Sequence, residues 1–317
     1  MAIVLDLVVQ FGQMLLVLAL APLLTGYVRK VKAHLLRRQG PPLVQPLDLV
    51  RLLRKEVVLA HTASWVFRAA PYLIFAATWV AAALVPTFAT GLVFSYAADM
   101  IVIVALLGSA RFMLALAGLD VGTSFGGIGS SREMMIASLA EPAMLMVTFT
   151  LSLLAGSTQL SSIAAFMQSA AVGLRVSLAL ALVGLVMVAI AENARIPVDN
   201  PATHLELTMV HEAMILEYSG RHLAVIEAAS FLKLLLYVSV IACVFFPWGI
   251  AVSGQGFAAY LGGIGVYVVK LAAAGFLLAV FETAIAKMRV FRVPDFLGAA
   301  LILGFLAALL LFVTKAG

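Results

Sequence analysis

The stretch FLGAALILGFLAALLLFV, residues 296–313, contains no charged side chain. A helix needs about 20 mainly apolar residues to cross a bilayer, and this run nearly fills that length. The whole chain follows the same pattern, since 64% of its 317 residues are hydrophobic, 11% are charged, and the mean hydropathy is +1.14. Soluble domains are about 45–50% apolar and about 25% charged. The composition therefore excludes a soluble domain and predicts an all-α integral membrane protein.

The apolar runs predict about eight transmembrane helices in one membrane domain that covers residues 1–317. The predicted spans are Ile3–Tyr27, Val66–Pro86, Ser95–Leu119, Arg132–Ala155, Val172–Ala191, Leu223–Phe246, Ala258–Thr283 and Phe296–Thr314. The first span differs from a signal peptide, because no Lys or Arg precedes it and its apolar run is longer than the usual h-region of about 7–15 residues. We therefore expect it to be retained.

Positive charge alternates between the loops. The loops 28–68, 119–132, 192–222 and 283–295 hold fifteen of the twenty Lys and Arg residues, whereas the loops 87–94, 156–171 and 247–257 hold none. By the positive-inside rule the first set is cytoplasmic, so both termini lie outside the cytoplasm. The net charge of +5 thus reflects membrane orientation and does not predict nucleic-acid binding.

The first cytoplasmic loop contains a predicted amphipathic helix, Leu47–Val58. Arg51, Arg54 and Lys55 fall on one side of it, which is typical of a helix lying at the membrane interface. Anchoring to anionic lipid and docking of a cytoplasmic partner both remain possible functions for it. The glycine-rich stretch Gly118–Gly129 predicts a flexible connector, and Ser130 with Glu133 fits a capping box at the start of the next helix.

Acidic residues concentrate in Glu192–Gly220, which holds five of the fifteen acids and two histidines. Asn200 and Pro201 predict a helix start and Gly220 a helix stop, so one helix is expected over Pro201–Ser219. On that helix Glu206 and Glu217 would lie about 20° apart within the apolar face. Because burial resists ionisation of a carboxylate, this placement favours a function that uses changes in protonation.

Other ionisable residues lie within or at the ends of the predicted spans. They are Arg111, Glu141, Arg175, Glu192, Glu227, Lys233, Lys270 and Glu282. Ionised groups inside a bilayer are expensive and tend to pair or to mark ion pathways. Both explanations, structural pairing between helices and an ion pathway, stay open at this point.

Metal sites are not predicted. His211-Glu212 lacks the second histidine of HExxH, and His204-Leu205-Glu206 lacks the cysteine pair of a zinc deaminase. With Cys243 as its lone cysteine, the chain cannot form an internal disulfide or a cysteine-based cluster.

Several motifs resemble the respiratory complex I subunit 1 family, and the resemblance covers nearly the whole chain. They are ENARIPVD (Glu192–Asp199) with Pro201, Glu206-Leu207 and EYSG (Glu217–Gly220), QGPPLVQPLDLVRLLRKE (Gln39–Glu56), GSSREMMIASLAEPAM (Gly129–Met144), and the basic segment from Glu282 through Arg292 to Asp295. Quinone-reducing members usually read E-T-N-R-x-P-F-D, whereas this chain has Asn193-Ala194 and Val198. THLELTMVHEAMILEYSG and GSSREMMIASLAEP resemble the membrane-bound [NiFe]-hydrogenase branch, which includes formate hydrogenlyase, hydrogenase-4 and CO-linked hydrogenases.

The resemblance implies a non-redox subunit of an oxidoreductase complex in a bacterial or archaeal cytoplasmic membrane. The chain itself would hold no cofactor. Hydrogenase large and small subunits and an iron–sulfur subunit would carry the [NiFe] site and the iron–sulfur clusters, beside antiporter-like membrane subunits and the lipid bilayer. Loops 28–68 and 192–222 would form the docking surface, and electron transfer would drive proton or sodium movement.

The expected residues fall into two sets. For the ion pathway they are Glu141, Glu192, Glu206, Glu212, Glu217, Asp199, Arg111, Lys233, Lys270 and Glu282. For partner docking they are Arg37, Arg38, Arg51, Arg54, Arg195, His204, His211, Arg289 and Arg292. The competing hypotheses are a quinone-site subunit of an NADH:quinone oxidoreductase, a passive anchor that moves no ions, and a stand-alone ion carrier.

Overall fold

The computed structural model describes residues 2–40, 45–169, 175–195, 210–285 and 292–316. Within these ranges the helices are α1 (Ala2–Leu35), α2 (Gln45–Leu53), α3 (Trp65–Leu84), α4 (Met100–Asp120), α5 (Ser124–Ala155), α6 (Leu160–Gln168), α7 (Val176–Glu192), α8 (His211–Ile215), α9 (Gly220–Phe245), α10 (Phe257–Ala284) and α11 (Val293–Ala316). A short 3₁₀ helix covers Val93–Ala97. Strands β1 (Ala89–Thr90) and β2 (Ala251–Val252) pair in parallel, with Ala89 opposite Ala251.

Seven of these helices are long and apolar enough to cross a membrane, namely α1, α3, α4, α5, α9, α10 and α11. The fifth predicted span corresponds to α7, which is apolar but has 17 residues. At 1.5 Å per residue it is about 25 Å long, slightly less than the hydrocarbon core. The predicted all-α, multi-pass membrane fold is confirmed.

Polar contacts tie the helix ends together at both ends of the bundle. At one end the Asp120 carboxylate accepts hydrogen bonds from the backbone N–H and the hydroxyl of Ser64, which joins α4 to the start of α3. At the other end β1 pairs with β2, and the Gln168 amide donates to the Pro247 carbonyl. These contacts satisfy backbone groups that the helix ends leave open, and they fix the helix order.

Helix α9 is the centre of the bundle. In the most apolar 18-residue stretch of this helix, 67% of the residues are buried. Leu232, Leu235 and Val240 are completely inaccessible to solvent. Helix α10, by contrast, packs on α1 and α9 along one side. In its most apolar 18-residue stretch, 22% of the residues are buried. The core therefore lies around α9, while α10 is peripheral.

Helices α4 and α5 approach each other closely at their shared turn. A Cβ on Gly126 would collide with the Gly118 carbonyl, and a Cβ on Gly118 would meet the Ser130 hydroxyl. The predicted flexible connector Gly118–Gly129 is wrong over most of its length, since α5 already begins at Ser124 with Thr123 as its N-cap. Small residues occur here because they allow two membrane helices to pack tightly.

The predicted capping box is also wrong. Ser130 lies inside α5, and its hydroxyl donates to the Ala115 carbonyl of α4 at 2.8 Å. Glu133 is buried in the bundle rather than placed in a first turn. Ser130 and Glu133 have the spacing of a capping box, but α5 begins about two turns earlier, at Ser124.

The predicted helix over Pro201–Ser219 is wrong in its second half. Residues 201–209 lie outside the described ranges, and α8 covers only His211–Ile215 before a turn leads into α9. Glu217 therefore does not lie on that helix. Tyr218 holds the turn in place, because its ring stacks on Phe67 at 3.9 Å and its hydroxyl donates to the Phe67 carbonyl.

The amphipathic helix of the first cytoplasmic loop is confirmed with an earlier end. Helix α2 stops at Leu53, so Arg54 and Lys55 follow it. Leu47, Val50 and Leu53 recur on its exposed side.

We expect Gly220→Ala to destabilise the protein more than Gly122→Ala. Both glycines have positive φ, at 53° and 73°, but only at Gly220 would the new Cβ collide with backbone, the carbonyl of Glu56. Gly122→Ala should cost about 1–2 kcal/mol from its left-handed conformation alone. Thermal unfolding of the two purified variants tests this, and equal midpoints would contradict it.

Candidate functional site

One guanidinium group, that of Arg111 on α4, faces three carboxylates inside the bundle. Its Nε lies 3.3 Å from Glu133, its Nη1 lies 3.8 Å from Glu141, and its Nη2 contacts Glu192. The Arg111 side chain is 4% exposed, which places the whole charge away from the surrounding lipid. Nine residues, or about 14 Å of helix, separate Arg111 from the end of α4 at Asp120.

Lys233 on α9 is the second cation of this group. Its Nζ lies 2.9 Å from the Glu192 carboxylate, which is itself 2% exposed. Glu192 is thus held between two cations, one from α4 and one from α9. We call Arg111, Glu133, Glu141, Glu192 and Lys233 the Arg111 cluster, which joins helices α4, α5, α7 and α9.

The Arg111 cluster has more carboxylates than cations. Three glutamates and two cations leave one net negative charge if all five groups are ionised. In a low-dielectric interior such an excess is expensive, and uptake of one proton would remove it. The cluster therefore concentrates opposite charges inside the bundle, and His211, which lines the adjoining cavity, is a further ionisable group.

A cavity of about 90 Å³ adjoins the cluster. It is lined by Arg111, Glu133, Glu192 and Lys233, and it extends to His211 at the start of α8. Several buried polar atoms next to it, namely Arg111 Nε and Nη1 and Glu192 Oε2, make ion pairs without hydrogen-bond geometry. A cavity of this size and polarity can accommodate several water molecules.

Glu141 lies at the edge of the cluster. Its side chain is 42% exposed, whereas that of Glu192 is 2% exposed. The carboxylate sits over Gly108 of α4, where an added Cβ would lie 3.2 Å from one of its oxygens. Glycine at this position lets the acid approach Arg111.

A second ion-pair group connects α1, α10 and the segment after α7. The Glu282 carboxylate lies 2.7 Å from Lys32 Nζ and 3.2 Å from Arg195 Nη1. Burial lowers the pKa of Arg195, and the Glu282 carboxylate opposes that shift. The two cations around one acid hold Arg195, at the end of the described residues after α7, against α1 and α10.

The structure brings together part of the predicted ion pathway. Arg111, Glu141, Glu192 and Lys233 meet in one cluster, whereas Glu282 belongs to the second group. Glu212 lies on α8 and Glu217 in the turn after it. Lys270 lies in the middle of α10 and has no carboxylate within 4 Å among the described residues. Asp199 and Glu206 lie outside the described residues.

The predicted docking residues divide in a similar way. Exposed positions are occupied by Arg37, Arg38, Arg51, Arg54 and Arg292. Arg195 is instead paired with Glu282 at 20% exposure, and His211 lines the cavity. His204 and Arg289 lie outside the described residues.

Glu133 is the cluster residue that the sequence analysis misassigned. The signal that identifies it is its spacing from Glu141, because residues eight apart lie on neighbouring faces of one helix. The predicted span Arg132–Ala155 already contained both glutamates, but Glu133 was assigned to a helix cap and not to the bundle interior.

A family model described as NADH dehydrogenase matches residues 8–313. The chain belongs to this family. The predicted resemblance to complex I subunit 1 is thus confirmed, and the fold described above is that of a NADH dehydrogenase subunit 1-like membrane protein.

Hydrogenase subunits are among the relatives within this family. Formate hydrogenlyase subunit 4 of Escherichia coli is 32% identical over 93% of this chain and 95% of its own length. Hydrogenase-4 component C of Escherichia coli is 32% identical over 75% of each chain. NADH-quinone oxidoreductase subunit 8 of Rhodothermus marinus is 29% identical over 69% of this chain and 66% of its own length.

The fold has a close match among solved structures. A chain of the archaeal membrane-bound sulfane sulfur reductase superposes with a TM-score of 0.81, covering 98% of this chain and 99% of that chain at 18% identity. At this identity the similarity concerns the fold alone.

We expect Arg111→Met to destabilise the protein far more than Arg51→Met. Removing Arg111 leaves buried carboxylates without their cation, which costs about 3–5 kcal/mol when a buried pair is broken. Arg51 pairs with Asp48 at 3.7 Å on the surface and is 73% exposed, so its loss should cost about 0–1 kcal/mol. Denaturant unfolding of both variants measures the difference, and similar losses would show that the cluster is not a stabilising unit.

Proposed function

We propose that this chain is the membrane subunit of a multisubunit membrane-bound [NiFe]-hydrogenase complex and couples electron transfer in a cytoplasmic arm to proton or sodium movement. The observation that carries the coupling role is the Arg111 cluster, three carboxylates and two cations inside the bundle. Intramembrane ionisable groups commonly mark ion pathways. A cluster with one excess carboxylate is suited to take up and release a proton.

The hydrogenase assignment rests on the relatives. Formate hydrogenlyase subunit 4 matches this chain over 93% of its length at 32% identity, whereas the NADH-quinone oxidoreductase subunit of Rhodothermus marinus matches at 29% over a smaller share. The departures from the quinone-reducing motif at Asn193, Ala194 and Val198 favour the same branch. A quinone-site subunit is the alternative, and ligand pockets usually measure about 300–1,000 Å³, well above the cavity of about 90 Å³ beside the cluster.

The redox centres belong, in this proposal, to partner subunits. Cysteine thiolates hold iron–sulfur clusters, usually four per cluster, and this chain has one cysteine, which is buried. We expect hydrogenase large and small subunits and an iron–sulfur subunit on the cytoplasmic side, with antiporter-like subunits beside the bundle. The exposed cations Arg37, Arg38, Arg51 and Arg54 are the proposed docking contacts.

The orientation follows from charge. Ser64 and Asp120, which join α3 to α4, belong to the loops 28–68 and 119–132 that carry Lys and Arg, so we place that end of the bundle in the cytoplasm of a bacterium or archaeon. Both termini then lie outside the cytoplasm. The proposed docking loop 192–222 also contains His211, which lines the cavity.

The coupling step is electrostatic. Reduction or oxidation of a nearby cluster in the cytoplasmic arm changes the field at His211, which lines the cavity, and at Glu192. Because interacting carboxylates titrate together, that change shifts a proton within the group. The Arg111 guanidinium positions Glu192, Glu133 and Glu141. The half-exposed Glu141 is the proposed exit toward a neighbouring membrane subunit.

Substitutions at two cluster acids test the coupling. In inverted membrane vesicles that contain the whole complex, Glu192→Gln and Glu141→Gln should reduce the ions moved per hydrogen formed by about tenfold or more, equivalent to roughly 1.4 kcal/mol on the barrier. Nickel content should be unchanged. Asp295→Asn is the matched control, because Asp295 is an exposed carboxylate outside the cluster.

The possible results separate the alternatives. An unchanged ratio in both cluster variants would identify a passive anchor. A purified complex that contains iron and flavin without nickel, and that reduces quinone, would identify the NADH:quinone oxidoreductase subunit.

The position of Glu141 can be tested without changing any charge. Gly108→Val places a side chain where the Glu141 carboxylate now sits. We expect the variant to lower the ion-to-hydrogen ratio as Glu141→Gln does, while Gly12→Val, at a helix position with nothing within 4 Å of an added Cβ, leaves it unchanged. A normal ratio in Gly108→Val would exclude a role for the precise placement of this acid.

A further inference from the structure

Lys270 lies where an unpaired charge is least tolerated. Helix α10 runs from Phe257 to Ala284, so Lys270 is about 20 Å from each end at 1.5 Å per residue. The hydrocarbon core is about 30 Å thick, which puts this residue near its centre. A lysine side chain is too short to reach the interface from that depth.

Nothing on the described helices neutralises Lys270. Among the described residues no carboxylate pairs with its Nζ within 4 Å, and the cluster acids Glu133, Glu141 and Glu192 are paired with Arg111 and Lys233 instead. The titratable group that acts on it is the buried thiol of Cys243 on α9. A cysteine sulfur is a weak hydrogen-bond acceptor and does not replace a carboxylate.

The helix face beside Lys270 is open. Val266, Val269 and Leu277 on the neighbouring turns are 38%, 67% and 67% exposed. Helix α10 contacts the rest of the bundle through its opposite side, where Tyr267 and Leu271 are buried. The half-buried Lys270 lies at the border between the two sides.

We propose that this face of α10 binds a transmembrane helix of another subunit that carries a carboxylate at mid-bilayer depth, paired with Lys270. The occupant follows from charge complementarity, because lipid chains offer no acceptor for an ammonium at this depth and intramembrane charges pair with one another. The apolar side chains around Lys270 then pack against the partner helix. This proposal rests on the multisubunit complex inferred above and names one of its interfaces.

A photoreactive amino acid at position 269 tests the contact in the intact complex. After illumination of native membranes, we expect a covalent adduct with a membrane subunit, and mass spectrometry should place it in an apolar span that contains Asp or Glu. Position 302 on α11, where Ile302 is 59% exposed, is the control and should not give the same adduct. Adducts with lipid only, with a second copy of this chain, or with a span lacking a carboxylate would overturn the proposal.

Charge variants test the pairing itself. Lys270→Glu should reduce recovery of the cross-linked subunit with the purified complex roughly tenfold, the order expected for polar contacts between membrane helices. Lysine in place of the partner carboxylate should restore it. Lys270→Met keeps the length of the side chain and should give an intermediate loss, so a result equal to wild type for both variants would contradict the ion pair.

The failure of this proposal is distinguishable from that of the proposed function. Nickel content and hydrogen evolution are measured in the same preparations. Normal nickel content and hydrogen evolution, without an adduct between position 269 and a carboxylate-bearing helix, would contradict the proposed interface. The hydrogenase assignment would then still stand. Absence of nickel would remove the hydrogenase assignment, whatever the adduct.

Discussion

The contact between the Arg111 guanidinium and three glutamates is the constraint on which the centre of this membrane protein depends. A buried arginine stays charged, so the surrounding helices must supply carboxylates, and these come from α5 and α7. Lys233 from α9 then neutralises part of the resulting excess. Charge thereby joins four helices, in addition to the close packing of small residues such as Gly118 and Gly126 between α4 and α5.

This arrangement explains why stability and coupling would involve the same residues. A cluster with equal numbers of carboxylates and cations would stabilise the bundle, but no excess charge would favour uptake of a proton. In the proposed coupling role, the extra carboxylate takes up a proton when the charge in a cytoplasmic arm changes, while the cations stabilise the bundle. The cavity lined by Glu192 and His211 connects the cluster to the start of α8.

The peripheral ion pairs have a different role. Glu282 between Lys32 and Arg195 joins α1, α10 and the segment that follows α7. The Tyr218 ring on Phe67 and the contact of Gly220 with the Glu56 carbonyl fix the turn into α9 against the segment between α2 and α3. Burial also raises the pKa of the Tyr218 hydroxyl, which stays protonated and donates to the Phe67 carbonyl. The proposed docking surface is therefore held by polar contacts on both sides.

The sequence alone determined the membrane class, the number of spans to within the short α7, the alternation of charged loops and the family, because these depend on composition and local motifs. It also identified Arg111, Glu141, Glu192 and Lys233 as ionisable residues within or at the ends of the spans. Only the tertiary structure decided which of them meet. The start of α5 at Ser124 brought Glu133 into the cluster, and the position of α10 kept Lys270 out of it. Helices that are apolar on all sides carry no periodic signal for their rotation, so the pairing of their charges follows from packing that the sequence does not display.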